Sequence, residues 1–231
     1  MSGKQENSGK QASDFARRRT RFRQYESAEA ITAYLARLER EWPERAPLAK
    51  HIGQRIAATQ QQVATGPTVL ELCCGPGRLA TTLLAMLPTM QYTGLDLSPP
   101  FLAFAQTQLA PVRERVTLIE ADLSVTDWPT QLPAGADGAH FDAIVSLQSL
   151  HDVGDVAVIR QIYATAYTLL RPGGCLLNAD LIVAVDEVSP NNPGRLPIPR
   201  HLALLTECGY HNARCTFAAG GFGCIMGETR A

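Results

Sequence analysis

The sequence predicts an α/β fold: an open, doubly wound, mostly parallel sheet of seven strands that closes on an antiparallel hairpin and is preceded by an N-terminal helical cap. Three observations carry that expectation. Thr68–Ala80 reads TVLELCCGPGRLA, a short apolar run, then a turn of small residues, then helical spacing. From there to about residue 182, short apolar runs alternate with amphipathic stretches. Two β-like runs, Ala213–Ala218 and Phe222–Thr229, then follow each other through Gly220-Gly221. So short a link leaves no room for a crossover, so these two strands must form a hairpin.

Taken in order, residues 1–24 form a polar, arginine-rich stretch expected to be a flexible tail, with Arg17, Arg18, Arg19, Arg21 and Arg23 close together. Residues 25–67 are expected to be the helical cap. Its first helix runs from about Ala28 to Trp42, with Ile31, Tyr34, Leu35, Leu38 and Trp42 on one face and Pro43 as its stop. Its second, from about Ala46 to Thr65, turns Leu48, Ile52 and Ile56 inward and ends at Gly66-Pro67.

Residues 68–231 are expected to be the main domain. Its parallel strands are placed at Val69–Leu72, Gln91–Leu97, Val116–Ile119, Phe141–Leu147 and Cys175–Ile182. The helices between them start at Arg78, at Pro99 behind the N-cap Ser98, and at Asp155. The last of these is broken by Arg171-Pro172-Gly173-Gly174.

Composition narrows the partners. A net charge of −1 gives no electrostatic footprint for nucleic acid or a membrane surface. The six cysteines include no C-x-x-C pair and several fall in core strands, so a metal site is not expected and a reducing, cytoplasmic compartment is. No apolar segment is long enough for a membrane span.

Function is written at the strand ends. Glu71, Asp96 and Asp122 close three successive strands and therefore line one edge of a parallel sheet, the edge where such sheets bind ligands. Asp96 follows Gly77 by 19 residues, close to the spacing at which a carboxylate grips ribose hydroxyls behind a glycine turn.

These residues resemble a class I S-adenosylmethionine-dependent methyltransferase, a Rossmann-like fold, over about Thr68 to Arg230. The family pattern acid-x-Gly-x-Gly-x-Gly is met by Glu71-Leu72-Cys73-Cys74-Gly75-Pro76-Gly77, with Cys73 replacing the first glycine. Asp96-Leu97 stands where the family binds ribose, and Asp122-Leu123 where it binds adenine. The turn before strand five and the reversed last strand also match. The resemblance implies methyl transfer from S-adenosylmethionine, with S-adenosylhomocysteine as product, to a small-molecule acceptor by in-line displacement.

It further implies that Glu71 meets the cofactor's amino group, that Cys73 and Gly75 let the backbone approach it, and that Ser146 and Gln148 lie near the sulfonium. Tyr25 would close over the cofactor with an aromatic face. His151 is the candidate general base, required only for an acceptor that must lose a proton; Asp152 beside it is not assigned as its partner. His201 and His211 are read as structural. Two rivals remain open: a nicotinamide-dependent oxidoreductase, which also uses a glycine turn and an acid, and a non-catalytic S-adenosylmethionine-binding protein.

Overall fold

The computed structural model describes residues 25–59, 66–132, 141–188 and 192–230. The expected tail (1–24) and the end of the second helix (60–65) lie outside the described residues. A seven-stranded sheet has the order β3-β2-β1-β4-β5-β7-β6. Its strands are β1 (Thr68–Leu72), β2 (Gln91–Asp96), β3 (Val116–Glu120), β4 (Phe141–Leu147), β5 (Leu170–Leu181), β6 (His211–Ala219) and β7 (Phe222–Glu228). β1 to β5 pair in parallel, while β7 runs antiparallel to both β5 and β6. The fold class is thus the one expected, with the hairpin folded so that its second strand, not its first, lies beside β5.

The helices are α1 (Ala28–Glu41), α2 (Arg45–Thr59), α3 (Arg78–Met86), α4 (Pro99–Gln108), α5 (Val156–Leu169) and α6 (Ile198–Glu207). Their starts are set chemically. The Ser27 and Ser98 hydroxyls accept the backbone N–H groups of Ala30 and Phe101, and Asp155 Oδ1 accepts those of Ala157 and Val158. Gly209, in a left-handed conformation, ends α6.

Two apolar layers sandwich the sheet. On one face, Leu48, Ile52 and Ile56 of α2 and Leu79 and Leu83 of α3 pack on Val69, Ala143, Val145 and Leu177. On the other, Ile159, Ile162 and Tyr163 of α5 and Leu204 and Leu205 of α6 pack on Leu70, Leu72, Ile144 and Leu176. The two N-terminal helices therefore differ. α2 is a full layer of the main core, with Leu48, Ile52 and Ile56 fully buried. α1 buries only Ile31, and the rest of its apolar face, Tyr34, Leu35 and Leu38, is half-buried over the carboxyl ends of the central strands.

β5 starts earlier than expected. Leu170 pairs with Phe141, and the ladder then shifts register across Arg171–Gly174 before resuming at Cys175 opposite Ala143. The turn is held by Asp142, whose Oδ2 accepts the Thr68 backbone N–H at 2.7 Å and pairs with Arg171 at 3.0 Å.

Ile52→Ala is expected to destabilise the chain by about 2–5 kcal/mol, because it empties a closed part of the core. Leu35→Ala is expected to cost under about 1 kcal/mol. Urea midpoints with unchanged m-values would show this contrast, and equal losses would mean that α1 carries core as α2 does.

Candidate active site

The turn after β1 is shaped by left-handed backbone. Cys73, Gly75 and Gly77 have φ of 56°, 53° and 83°, and Gln148, just past the adjacent β4, has φ of 56°. Such angles are free for glycine but strained for cysteine and glutamine, which is why Cys73 occupies a place where glycine is the easier residue. A methyl group added at Gly75 would meet nothing within 4 Å, because that position opens into the pocket. At Gly77 it would press on Ala105 Cβ at 3.1 Å, so this glycine lets α3 approach α4 and does not face the pocket.

Two further hydrogen bonds stitch the turn to β2. Cys74 N–H donates to Leu95 O at 2.8 Å, and Gly75 N–H donates to Asp96 Oδ2 at 2.7 Å. The other carboxylate oxygen of Asp96 accepts Ser98 N–H at 2.9 Å, fixing the start of α4. Burial pushes the Asp96 carboxyl up to about 6, against the pull of these backbone donors. Glu71 is more enclosed: burial pushes it up to about 8, although Tyr92 donates its hydroxyl to Glu71 Oε2 at 2.7 Å. Burial also raises the Cys73 and Cys74 thiols well above the ordinary range, which makes them poor nucleophiles.

These groups wall one pocket of about 970 Å³ including its open mouth. Glu71, Cys73 and Gly75 line its floor. Asp96, Leu97, Phe101, Asp122 and Leu123 form one end. Gln148, Ser149 and Asp152 form the other, and Tyr34, Leu35, Leu38 and Arg45 close it from above. Asp122 is held in place through Oδ1, which accepts the backbone N–H and the hydroxyl of Ser124.

Three expected site residues stand elsewhere. Ser146 is a correction: strand alternation turns Leu147 to the pocket and Ser146 to the opposite face, where it pairs in register with Asn178 and its Oγ finds no partner among the described residues. Tyr25 stands behind the pocket wall, stacked on Phe101 at a centroid distance of 5.5 Å and tilted against Tyr34 at 4.5 Å. Gly77 is the packing contact already described. His201 lies in the core, 2.9 Å from the Tyr163 hydroxyl, where burial depresses it to about 4. His211 starts β6 at the far edge of the sheet.

His151 lies beside the pocket wall, and its partner is Asp180, near the end of β5. Nδ1 is 2.5 Å from Asp180 Oδ1, and the His151 backbone N–H donates to Asp180 Oδ2 at 3.0 Å. Leu181 N–H also donates to Oδ1, so the carboxylate is fixed from three directions. Nε2 points toward Asp152, 3.6 Å from its Oδ2. Burial opposes a charged imidazole here, but the hydrogen bond and charge of Asp180, helped by Asp152, outweigh it and the net shift is upward. Sequence reasoning missed Asp180 although its own rule, an acid at the end of a parallel strand, would have found it. Arg45 carried no such signal.

Among the described residues no group of His, Cys, Asp and Glu is arranged to hold a metal ion, and no helix is long and apolar enough to cross a membrane.

Residues 70–176 match a family model described as a methyltransferase domain. The chain is 28% identical over 151 residues to the 4-amino-L-phenylalanine/4-methylamino-L-phenylalanine methyltransferase of Streptomyces pristinaespiralis, covering 58% of this chain and 51% of that protein. It is 31% identical over 146 residues to an uncharacterised methyltransferase of Mycobacterium bovis, covering 62% and 61%. In three dimensions it resembles the CurJ carbon methyltransferase at a TM-score of 0.66 and 18% identity, over 79% of this chain and 54% of that one. The matched segment, the strand order and the reversed last strand together support a class I S-adenosylmethionine-dependent methyltransferase, a family whose methyl donor is S-adenosylmethionine. It spans about half to three-fifths of the length of these curated relatives.

Glu71→Gln tests the electrostatics of the pocket floor. A carboxyl raised from its ordinary value of 4.5 to about 8 favours folding below pH 4.5, and that contribution is lost as pH rises toward 8. Glutamine has no proton to lose and still accepts from Tyr92. The variant should match wild type near pH 4 and be more stable by about 1–3 kcal/mol at pH 9, in urea titrations without ligand. Parallel pH profiles would mean that Glu71 ionises normally.

Proposed function

We propose that the chain transfers a methyl group from S-adenosylmethionine to a small-molecule acceptor by in-line displacement. The observation that carries this reading is one pocket that unites a left-handed turn open at Gly75, the carboxylates at the ends of β1, β2 and β3, and a histidine–aspartate pair beside its far end. When bound, S-adenosylmethionine supplies a methyl group activated by the sulfonium.

The chain's own residues have separable parts in this. Asp96 keeps lone pairs for the ribose hydroxyls beyond those its two backbone donors use. Asp122, Leu97, Leu123 and Phe101 offer an acid and apolar walls to adenine. Glu71 and Gln148 receive the amino-acid half. α1 covers the pocket and excludes water, which matters because positioning and dryness do most of the work in a displacement.

His151 takes the proton of an acceptor that must lose one. Asp180 fixes Nδ1 as the protonated nitrogen, which leaves Nε2 as the basic one, and stabilises the imidazolium once formed. A pocket closed by a helix fits a small acceptor, in line with the 4-amino-L-phenylalanine for which the Streptomyces relative is named. The six free thiols accord with a cytoplasmic setting.

The test is calorimetric titration with S-adenosylmethionine, S-adenosylhomocysteine and NADH. Binding of the first two alone supports the reading, and binding of NADH alone replaces it with an oxidoreductase. Asp96→Ala should weaken S-adenosylhomocysteine binding roughly 10–100-fold. An unchanged affinity would remove Asp96 from the site.

For turnover, measured as S-adenosylhomocysteine release, Asp180→Asn should move the rising limb of the pH profile to lower pH and cut the rate by about 10–100-fold. His151→Ala should abolish that limb. Profiles identical to wild type would exclude the pair from the chemistry.

A further inference from the structure

Two arginines line the pocket, and neither has a part in the roles assigned to Asp96, Asp122, Glu71 and His151; Arg78 is paired with Glu39, which leaves Arg45. It is the first residue of α2, and its guanidinium leaves the helix to line the pocket beside Gln148 and Tyr34. One Nη1–H donates to Gln148 Oε1. Gln148 is itself set by its left-handed backbone and by its N–H, which donates to Ala179 O at 2.7 Å. The guanidinium is therefore aimed rather than loose, with most of its five N–H donors still to be engaged.

Its charge is not met. Among the described residues Arg45 makes no ion pair, although burial lowers its proton affinity and a half-buried cation is costly without a counter-charge. Glu71 acts on it through space, but enclosure keeps that carboxyl protonated up to about pH 8. Asp180 acts on it too, and that carboxylate is already bound to His151 and Leu181.

We propose that Arg45, presented by Gln148, is the receptor for a carboxylate group of a ligand in this pocket. A carboxylate matches the planar fork of a guanidinium in two parallel hydrogen bonds. A doubly charged phosphate would fit less well, because Asp96, Asp122 and Asp152 line the same cavity. The carboxylate has two possible sources, the amino-acid half of the methyl donor and the acceptor. This inference rests on the methyltransferase reading and adds to it a residue from outside the segment that matches the methyltransferase family.

The experiment compares two nucleosides by calorimetry on the full chain: S-adenosylhomocysteine, and 5′-methylthioadenosine, which keeps the thioether but lacks the aminocarboxylate half. Arg45→Gln should weaken S-adenosylhomocysteine roughly 10–100-fold and leave methylthioadenosine within about twofold, the latter also showing that the variant is folded. Arg45→Lys should recover part of the loss. That pattern assigns the carboxylate to the donor.

If both affinities survive in Arg45→Gln, benzoate is titrated into the protein saturated with S-adenosylhomocysteine. Benzoate binding that is present in wild type and lost in the variant assigns the carboxylate to the acceptor. Unchanged nucleoside affinities together with no Arg45-dependent benzoate binding overturn the proposal while leaving the methyltransferase reading intact. Failure of wild type to bind either nucleoside overturns both.

Discussion

The structure depends on one buried carboxylate. Asp96 stands at the end of β2 and accepts, through its two oxygens, the N–H of Gly75 from the turn after β1 and the N–H of Ser98 at the start of α4. Three segments distant in sequence are thereby fixed at one point of the sheet edge. Its burial costs ionisation energy, seen in its upward shift, and the backbone donors recover part of that cost. The Cys74–Leu95 backbone hydrogen bond and the Cys74–Tyr92 side-chain contact add to this anchor in holding the left-handed turn at Cys73–Gly77 against β2. Position of the turn, opening at Gly75 and direction of α4 all follow from it.

Electrostatic contrast is the second organising feature. Glu71 and Asp96 lie in the same pocket, yet burial raises the first to about 8 and the second to about 6. The difference comes from what each accepts: Glu71 one hydroxyl, Asp96 two backbone N–H groups. His151 shows the opposite balance, because the carboxylate pressed against it outweighs its own burial. The site thus holds a carboxyl that stays protonated at neutral pH, a carboxyl that ionises, and an imidazole that protonates readily, each fixed by its immediate neighbours.

Most of the fold was legible because its signals are local. Strand ends, the turn at Gly75 and the caps Ser98 and Asp155 each depend on residues close in sequence, and each falls within a residue or two of its expected place. The hairpin was legible as a hairpin, but which of its strands borders β5 is a matter of long-range pairing that Gly220-Gly221 does not encode. Ser146 was misplaced by one step of strand alternation, which reverses the face a side chain serves. Arg45 was invisible for another reason. A polar residue at a helix start reads as solvent-facing, and only the tertiary position of α2 against β4 turns it inward.

The half-buried stripe of α1 has a wider meaning. Tyr34, Leu35 and Leu38 form the apolar face of an amphipathic helix; Tyr34 stacks on Phe101 at 5.7 Å, and the rest of the face looks onto the pocket. Part of the inner packing of this helix is therefore left to whatever molecule the pocket binds. Occupancy and local order are two sides of one equilibrium here: whatever fills the pocket also tightens α1, and amide protons along Ala28–Glu41 would slow their exchange with solvent in step with ligand concentration, while those of α2 would not.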